Sequence, residues 1–184
     1  MKTLLTLSTS CKASLKHVTD LSLPSGKAVA LRQILAPLQG DVPHRLAQTL
    51  AGMDPWSKYG FSRATLARFV FPADNSNPRY LICAGDEIAG LAVIKNAWLF
   101  GSYLNILAVL PDHQKHGVGS AFLHWFETMA RANGDRNQFV ATSAFNTGAL
   151  TLYKRHGFEP IANLDGLISD TETEILLRKR LKQV

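Results

Sequence analysis

The chain has 184 residues, 46% of them hydrophobic, and 20 Lys and Arg against 14 Asp and Glu give a formal charge of +6. That length suffices for one well-buried core, and no apolar run reaches the roughly 18 residues of a membrane helix, so a single domain is expected and a helical membrane protein is excluded. The positive balance suits nucleic acid, an anionic surface or a polyanionic small molecule and does not choose among them.

In chain order, Met1 to Leu7 resembles a secretory leader, but its apolar stretch is shorter than the roughly 7–15 residues such a region needs, and a cytoplasmic location is expected. The Thr/Ser-rich segment 1–26 reads as an N-terminal extension, with one domain over 27–184. Cys11 and Cys83 have no CxxC spacing and no histidine cluster beside them, so neither a disulfide framework nor a metal site is expected. Ala28 to Leu35 reads as a first strand. Asp41 and Pro43 open a helix running to Leu50, and Ser62 caps a second over Arg63 to Phe71. Tyr80 to Ala84 and Ile88 to Ile94 read as strands joined at Gly85-Asp86-Glu87, a hairpin signal, followed by a strand from Leu99 to Leu110. Phe122, Trp125, Phe126 and Met129 fall on one side of a helix from Val118 to Ala132, which stops at Asn133-Gly134. A short strand Phe139 to Thr142, a helix Asn146 to Arg155 ended by Gly157, and strands Phe158 to Ala162 and Thr173 to Leu181 close the chain. This order gives an α/β (α+β) fold: a mixed, mostly antiparallel central sheet flanked by helices.

The junction between strand and helix, Pro111 to Phe122, carries the chemistry. A helix beginning near Val118 presents unpaired N–H groups backed by the positive end of its dipole, which is an anion site. Gly117 and Gly119 keep side chains away from those groups, Gln114 and Ser120 can add hydrogen bonds, and Lys115 adds charge. Two glycines alone would more simply be a turn. A dinucleotide fingerprint would need a third glycine where Phe122 stands, and the Gly-Lys-Ser/Thr tripeptide of a P-loop is absent.

Gln114-x-x-Gly117-x-Gly119 after a strand and before an amphipathic helix, followed by Asn146, Tyr153 and His156-Gly157-Phe158, resembles the GNAT superfamily of acetyl-CoA-dependent N-acetyltransferases. The resemblance covers roughly residues 79–160. It implies acetyl-CoA as co-substrate and no metal. It assigns Gln114, Lys115, His116, Gly117, Val118, Gly119 and Ser120 to the pyrophosphate, the backbone of Leu107, Ala108 and Val109 to the pantetheine arm, and Asn146 to a cofactor contact. Tyr153, two helical turns from Asn146, takes the role of general acid toward the departing thiolate. Many relatives carry a carboxylate base on the central strands, whereas Tyr103-Leu104-Asn105-Ile106 has none. Asp54, Glu87 and His113 are sources of charge, and none is named as the base.

The same resemblance places Gly52 to Phe61 over the acceptor. There Trp56 and Tyr59 can hold a cation against their rings and Asp54 can pair with an ammonium group, although Trp56 serves equally as a plug between two helices. The expected function is transfer of acetyl to a primary amine of a small molecule or protein. The alternative is a coenzyme A-responsive regulatory module without turnover. Nucleic-acid binding rests on charge alone, no membrane partner is expected, and exposed edge strands would admit a homodimer.

Overall fold

The structure, a computed structural model, describes residues 5–71 and 77–181, so Met1 to Leu4 of the leader-like opening lie outside the described residues. The elements run α1 (Thr9–Lys12), β1 (Leu15–Ser22), β2 (Ala28–Ile34), α2 (Val42–Ala51), α3 (Arg63–Val70), β3 (Arg79–Ala84), β4 (Glu87–Lys95), β5 (Gly101–Val109), α4 (Val118–Ala132), β6 (Asn137–Ser143), α5 (Thr147–Arg155), β7 (Glu159–Asp165) and β8 (Thr173–Arg180). They build one open sheet of order β1-β2-β3-β4-β5-β6-β8-β7, in which β5 and β6 form the parallel pair and every other neighbour is antiparallel.

Helix starts follow local chemistry. Ser62 accepts a hydrogen bond from the Thr65 N–H at 3.1 Å and Asn146 one from the Ala149 N–H at 3.2 Å, side-chain caps each worth about 1 kcal/mol. Within the segment 1–26 expected as an N-terminal extension, residues 15–22 form β1, which pairs with β2 on both sides of a bulge at Val18 and turns at Leu23 to Lys27 with Gly26 at φ 79°. An edge strand has a neighbour on one side, and in β1 Leu21 is the buried residue, so its composition reads as polar linker. The strand expected from Leu99 begins instead at Gly101. Ala97, Leu99 and Phe100 have positive φ in the turn from β4.

Two apolar clusters cover the two faces. On one, α2, α3 and the N-terminal Leu5, Leu7 and Cys11 pack on Leu81, Cys83, Leu91, Val93, Ile106 and Ala108. On the other, α4 and α5 pack Phe122, Phe126 and Tyr153 on Leu31, Ile82, Ala92, Leu104, Val140 and Leu177.

The sheet is interrupted where the faces meet. Leu104 and Ile106 are two apart yet belong to opposite faces, because Asn105 has no partner on β4: Ile94 pairs with Leu104 and Val93 with Ile106. This is a β-bulge, which bends a strand and ends its regular pairing. Pairing of β5 with β6 likewise stops at Leu104 and Val140. Beyond it the two strands part, leaving a gap through the sheet.

Candidate active site

The gap is lined first by backbone. The Leu110 N–H donates to Ala89 O at 2.9 Å, and the alternation of an antiparallel ladder then turns Ala108 toward β4 and Leu107 and Val109 away from it, toward the gap. Of the three strand residues expected to meet a pantetheine arm, Leu107 and Val109 therefore present backbone groups and Ala108 does not. Gln114 Nε2 donates to Val109 O at 3.0 Å, so this side chain ties the loop to the strand.

After a single 3-10 turn at Pro111–His113, the chain reaches α4 with Lys115 at φ 63° and Gly117, the N-cap, at φ 87°. No side chain caps this end, and the first helical bond is from Ala121 N–H to Gly117 O at 2.9 Å. The N–H groups of Val118, Gly119 and Ser120 consequently have no helical acceptor. Lys115 and His116 are exposed beside them. The two glycines have protein reasons as well: a Cβ on Gly117 would stand 2.5 Å from Pro24 Cδ, and one on Gly119 3.2 Å from Leu152 Cδ2. An uncapped helix start beside unpaired strand backbone suits a phosphate-bearing, amide-containing ligand such as coenzyme A.

Asn146 is occupied as the α5 cap. Tyr153, 5% exposed, packs edge-on against Phe158, and its hydroxyl makes no hydrogen bond among the described residues. Burial, then the neighbouring Tyr103, pushes its pKa far above the usual phenol value. It is a fully protonated phenol at neutral pH. Tyr103 extends from the opposite face, as its pairing beside Phe139 and the alternation of β5 require, and its phenol is near enough to contribute to raising Tyr153.

On the α2/α3 face, the connection from Gly52 to Phe61 reaches the ends of β6 and β8. The Tyr59 hydroxyl lies 3.0 Å from Ser143 Oγ and donates to Glu174 Oε1 at 2.5 Å. Burial and that hydrogen bond raise its pKa to about 12. Tyr59 also packs against Phe61 and Phe145. Lys58 Nζ stands 3.7 Å over the Phe145 ring and 2.9 Å from Glu172. Of the expected acceptor residues, Tyr59 alone joins this cluster: Asp54 is exposed and bonded locally by Ser57, and Trp56 packs on the core of that face. Glu174, 5% exposed, was not anticipated. Its signal in the sequence is a lone acidic residue within an otherwise apolar and basic strand.

Glu87 and His113 bind each other, Oε1 to Nε2 at 2.9 Å, at the start of β4, which accounts for both as a structural pair. Among the described residues no group of three or more His, Cys, Asp or Glu could hold a metal, and no helix is long and apolar enough to cross a membrane.

The family model described as Acetyltransferase (GNAT) family matches residues 45–158. Among solved structures, an acetyltransferase of that family from Desulfovibrio desulfuricans is 24% identical, with 83% of this chain and 99% of that one covered and a TM-score of 0.63. A GNAT family acetyltransferase from Elizabethkingia anophelis with acetyl-CoA bound is 19% identical over 83% and 98% of the two chains, TM-score 0.64. The ribosomal-protein-S18-alanine N-acetyltransferase of Escherichia coli is 17% identical over 83% and 96%, TM-score 0.63. Curated protein sequences give no match.

Proposed function

Because the chain belongs to the acetyltransferase (GNAT) family, we propose that it transfers acetyl from acetyl-CoA directly to the primary amine of a small molecule or protein. The observation that supports this most is the gap between β5 and β6. It joins the uncapped start of α4 and a protonated Tyr153 on one face to a cluster of polar side chains on the other.

When bound, acetyl-CoA supplies an activated acetyl thioester. The N–H groups of Val118, Gly119 and Ser120, with Lys115 beside them, hold its pyrophosphate, and the backbone of Leu107 and the Val109 N–H hold its amide-bearing arm. The Tyr153 phenol donates its proton toward the leaving sulfur. Its raised pKa keeps that proton in place across the physiological range. Relatives of this fold include a structure with acetyl-CoA bound and an enzyme whose acceptor is a protein alanine. The first agrees with acetyl-CoA as co-substrate and the second with an amine acceptor, and the acceptor's size stays open.

The test is one preparation assayed for acetyl-CoA binding and for single-turnover thiol release with a panel of amines. Acetyl-CoA is expected to raise the melting temperature, and Tyr153→Phe to retain its affinity while losing roughly 10- to 1,000-fold in rate, about 1.4 kcal/mol of barrier per tenfold. Absence of a thermal shift removes the acetyltransferase reading. Tight binding without turnover of any amine replaces it with a coenzyme A-responsive regulatory module.

A further inference from the structure

Glu174 sits on β8 beside Ser143 of β6, on the α2/α3 face of the gap. The residue is 5% exposed, and the donor that reaches it among the described residues is a neutral phenol, Tyr59, at 2.5 Å on Oε1. No described cation pairs with it. Lys58, the nearest candidate in this cluster, is committed to Glu172 at 2.9 Å and to the Phe145 ring at 3.7 Å. The other carboxylate oxygen, Oε2, is not closed off from the surface, and a mostly buried carboxylate held at one oxygen by a neutral donor and open at the other suits a cation that arrives with a ligand.

The surroundings specify where that cation would come from. Tyr59 from the α2–α3 connection, Ser143 from β6 and Tyr103 from β5 face the carboxylate. The Glu174 charge helps raise the Tyr103 phenol, after burial, and Tyr103 in turn acts on Tyr153. The carboxylate lies on the α2/α3 face, beside the end of β6 and opposite the α4 start. Tyr59, held protonated, fixes Oε1. No hydrogen bond among the described residues occupies Oε2.

Resting on the acetyltransferase reading above, we propose that Glu174 receives the acceptor: its carboxylate pairs with an alkylammonium group arriving from the α2/α3 face and takes a proton from it, so that the acceptors are primary alkylamines that are cationic at neutral pH. The ammonium loses one proton to Glu174, which passes it to solvent. The freed nitrogen lone pair forms the N–C bond to the acetyl carbon, the nitrogen releases a second proton, and the C–S bond breaks with its electron pair leaving on sulfur. Tyr153 protonates that sulfur and is reprotonated from solvent. The products are an N-alkylacetamide, free coenzyme A and one net proton.

Glu174→Gln tests this, since the amide oxygen can still accept from Tyr59 while charge and basicity are lost. Two acceptors are compared, an alkylamine and a hydrazide that is uncharged at neutral pH. For the alkylamine, kcat/KM is expected to fall by roughly 10²–10⁴, as for removal of a general base, with a loss smaller by at least about tenfold for the hydrazide. Calorimetry without acetyl-CoA reads binding separately: alkylammonium affinity should weaken by about 30-fold or more, as for a buried charge left unpaired, while acetyl-CoA affinity stays unchanged. Equal losses for the two acceptors, or unchanged alkylammonium affinity, overturn the proposal. If Glu174→Gln does not fold, Tyr59→Phe takes its place. Releasing Oε1 should then shift the alkylamine KM and leave the hydrazide KM alone, and no difference between them overturns it equally. Failure of the unmodified protein to acetylate any amine strikes the acetyltransferase reading instead, because the calorimetric loss at Glu174 is measured without turnover.

Discussion

Gly117 shows how one position carries two requirements. From the sequence its role is to clear space for a phosphate at a helix start. In the fold its φ of 87° is left-handed and the place of its missing Cβ is taken by the ring of Pro24, 2.5 Å away in the β1–β2 turn. Gly117→Ala should therefore destabilise the protein without any ligand, by about 1–2 kcal/mol for the left-handed backbone and more for the contact. At about 2–4 °C per kcal/mol for a chain of this size, thermal denaturation should show a fall of several degrees. Adding Pro24→Ala should restore part of it, and a double variant no more stable than Gly117→Ala would show that the ring is not the obstacle. Tyr153 and Glu174 differ in legibility at this scale: Tyr153 is a candidate from its spacing to Asn146 within a motif, whereas Glu174 belongs to no motif and owes its proposed role to Tyr59, 115 positions away in the chain.

Among the elements, α4, α5 and β8 meet in a charged joint on the side away from the gap. Lys179 Nζ reaches Glu127 at 2.6 Å, Arg131 reaches it at 2.7 Å, and the rings of His124 and His156 stand 4.9 Å apart. Burial, then the charges of His124 and Lys179, lowers the His156 pKa from its ordinary 6.5. A group depressed in the folded state binds its proton first in the unfolded chain, so its contribution is present above pH 6.5 and is lost as pH falls through the lower folded value. Burial pushes Glu127 up, but its hydrogen bonds to Lys179 and Arg131 outweigh this and lower it below 4.5, so its contribution is lost in a separate, more acidic window. Replacing His156 with Gln should flatten the dependence of Tm on pH between about 7.5 and 5.5. Identical slopes in the two proteins would assign that dependence to other groups. Helix α4 was readable, since Phe122, Trp125, Phe126 and Met129 recur at helical spacing and Phe122 and Phe126 are buried. β1 was not, because an edge strand buries too little to show the alternation of a core strand.

For the whole molecule, the consequential feature is that the two proposed half-sites lie on opposite faces of one sheet, beside the place where β5 and β6 part. Substitutions on the α2–α3 connection should then act on the acceptor alone. Trp56→Ala removes a ring packed on the core of that face and should cost about 1–3 kcal/mol of stability. In the folded fraction it should change acceptor KM while acetyl-CoA affinity, read by titration, is unaltered. A matching loss of acetyl-CoA affinity would mean that the faces are not separate in function.

Periodicity, turn residues and the glycine spacing are local properties, and they sufficed for the helices, most strands, the mixed sheet and the uncapped start of α4, since each is decided by residues within a few positions of one another. The gap, the inward turn of Leu107 and Val109, and the buried Glu174 were decided by tertiary structure alone. A bulge at Asn105 exists only relative to the register of β4, and a strand's alternation tells which residues share a face but not which face a distant loop will cover. Glu174 became a candidate for chemistry when the fold left it 5% exposed, brought the Tyr59 hydroxyl to one oxygen and placed no cation of the described residues at the other.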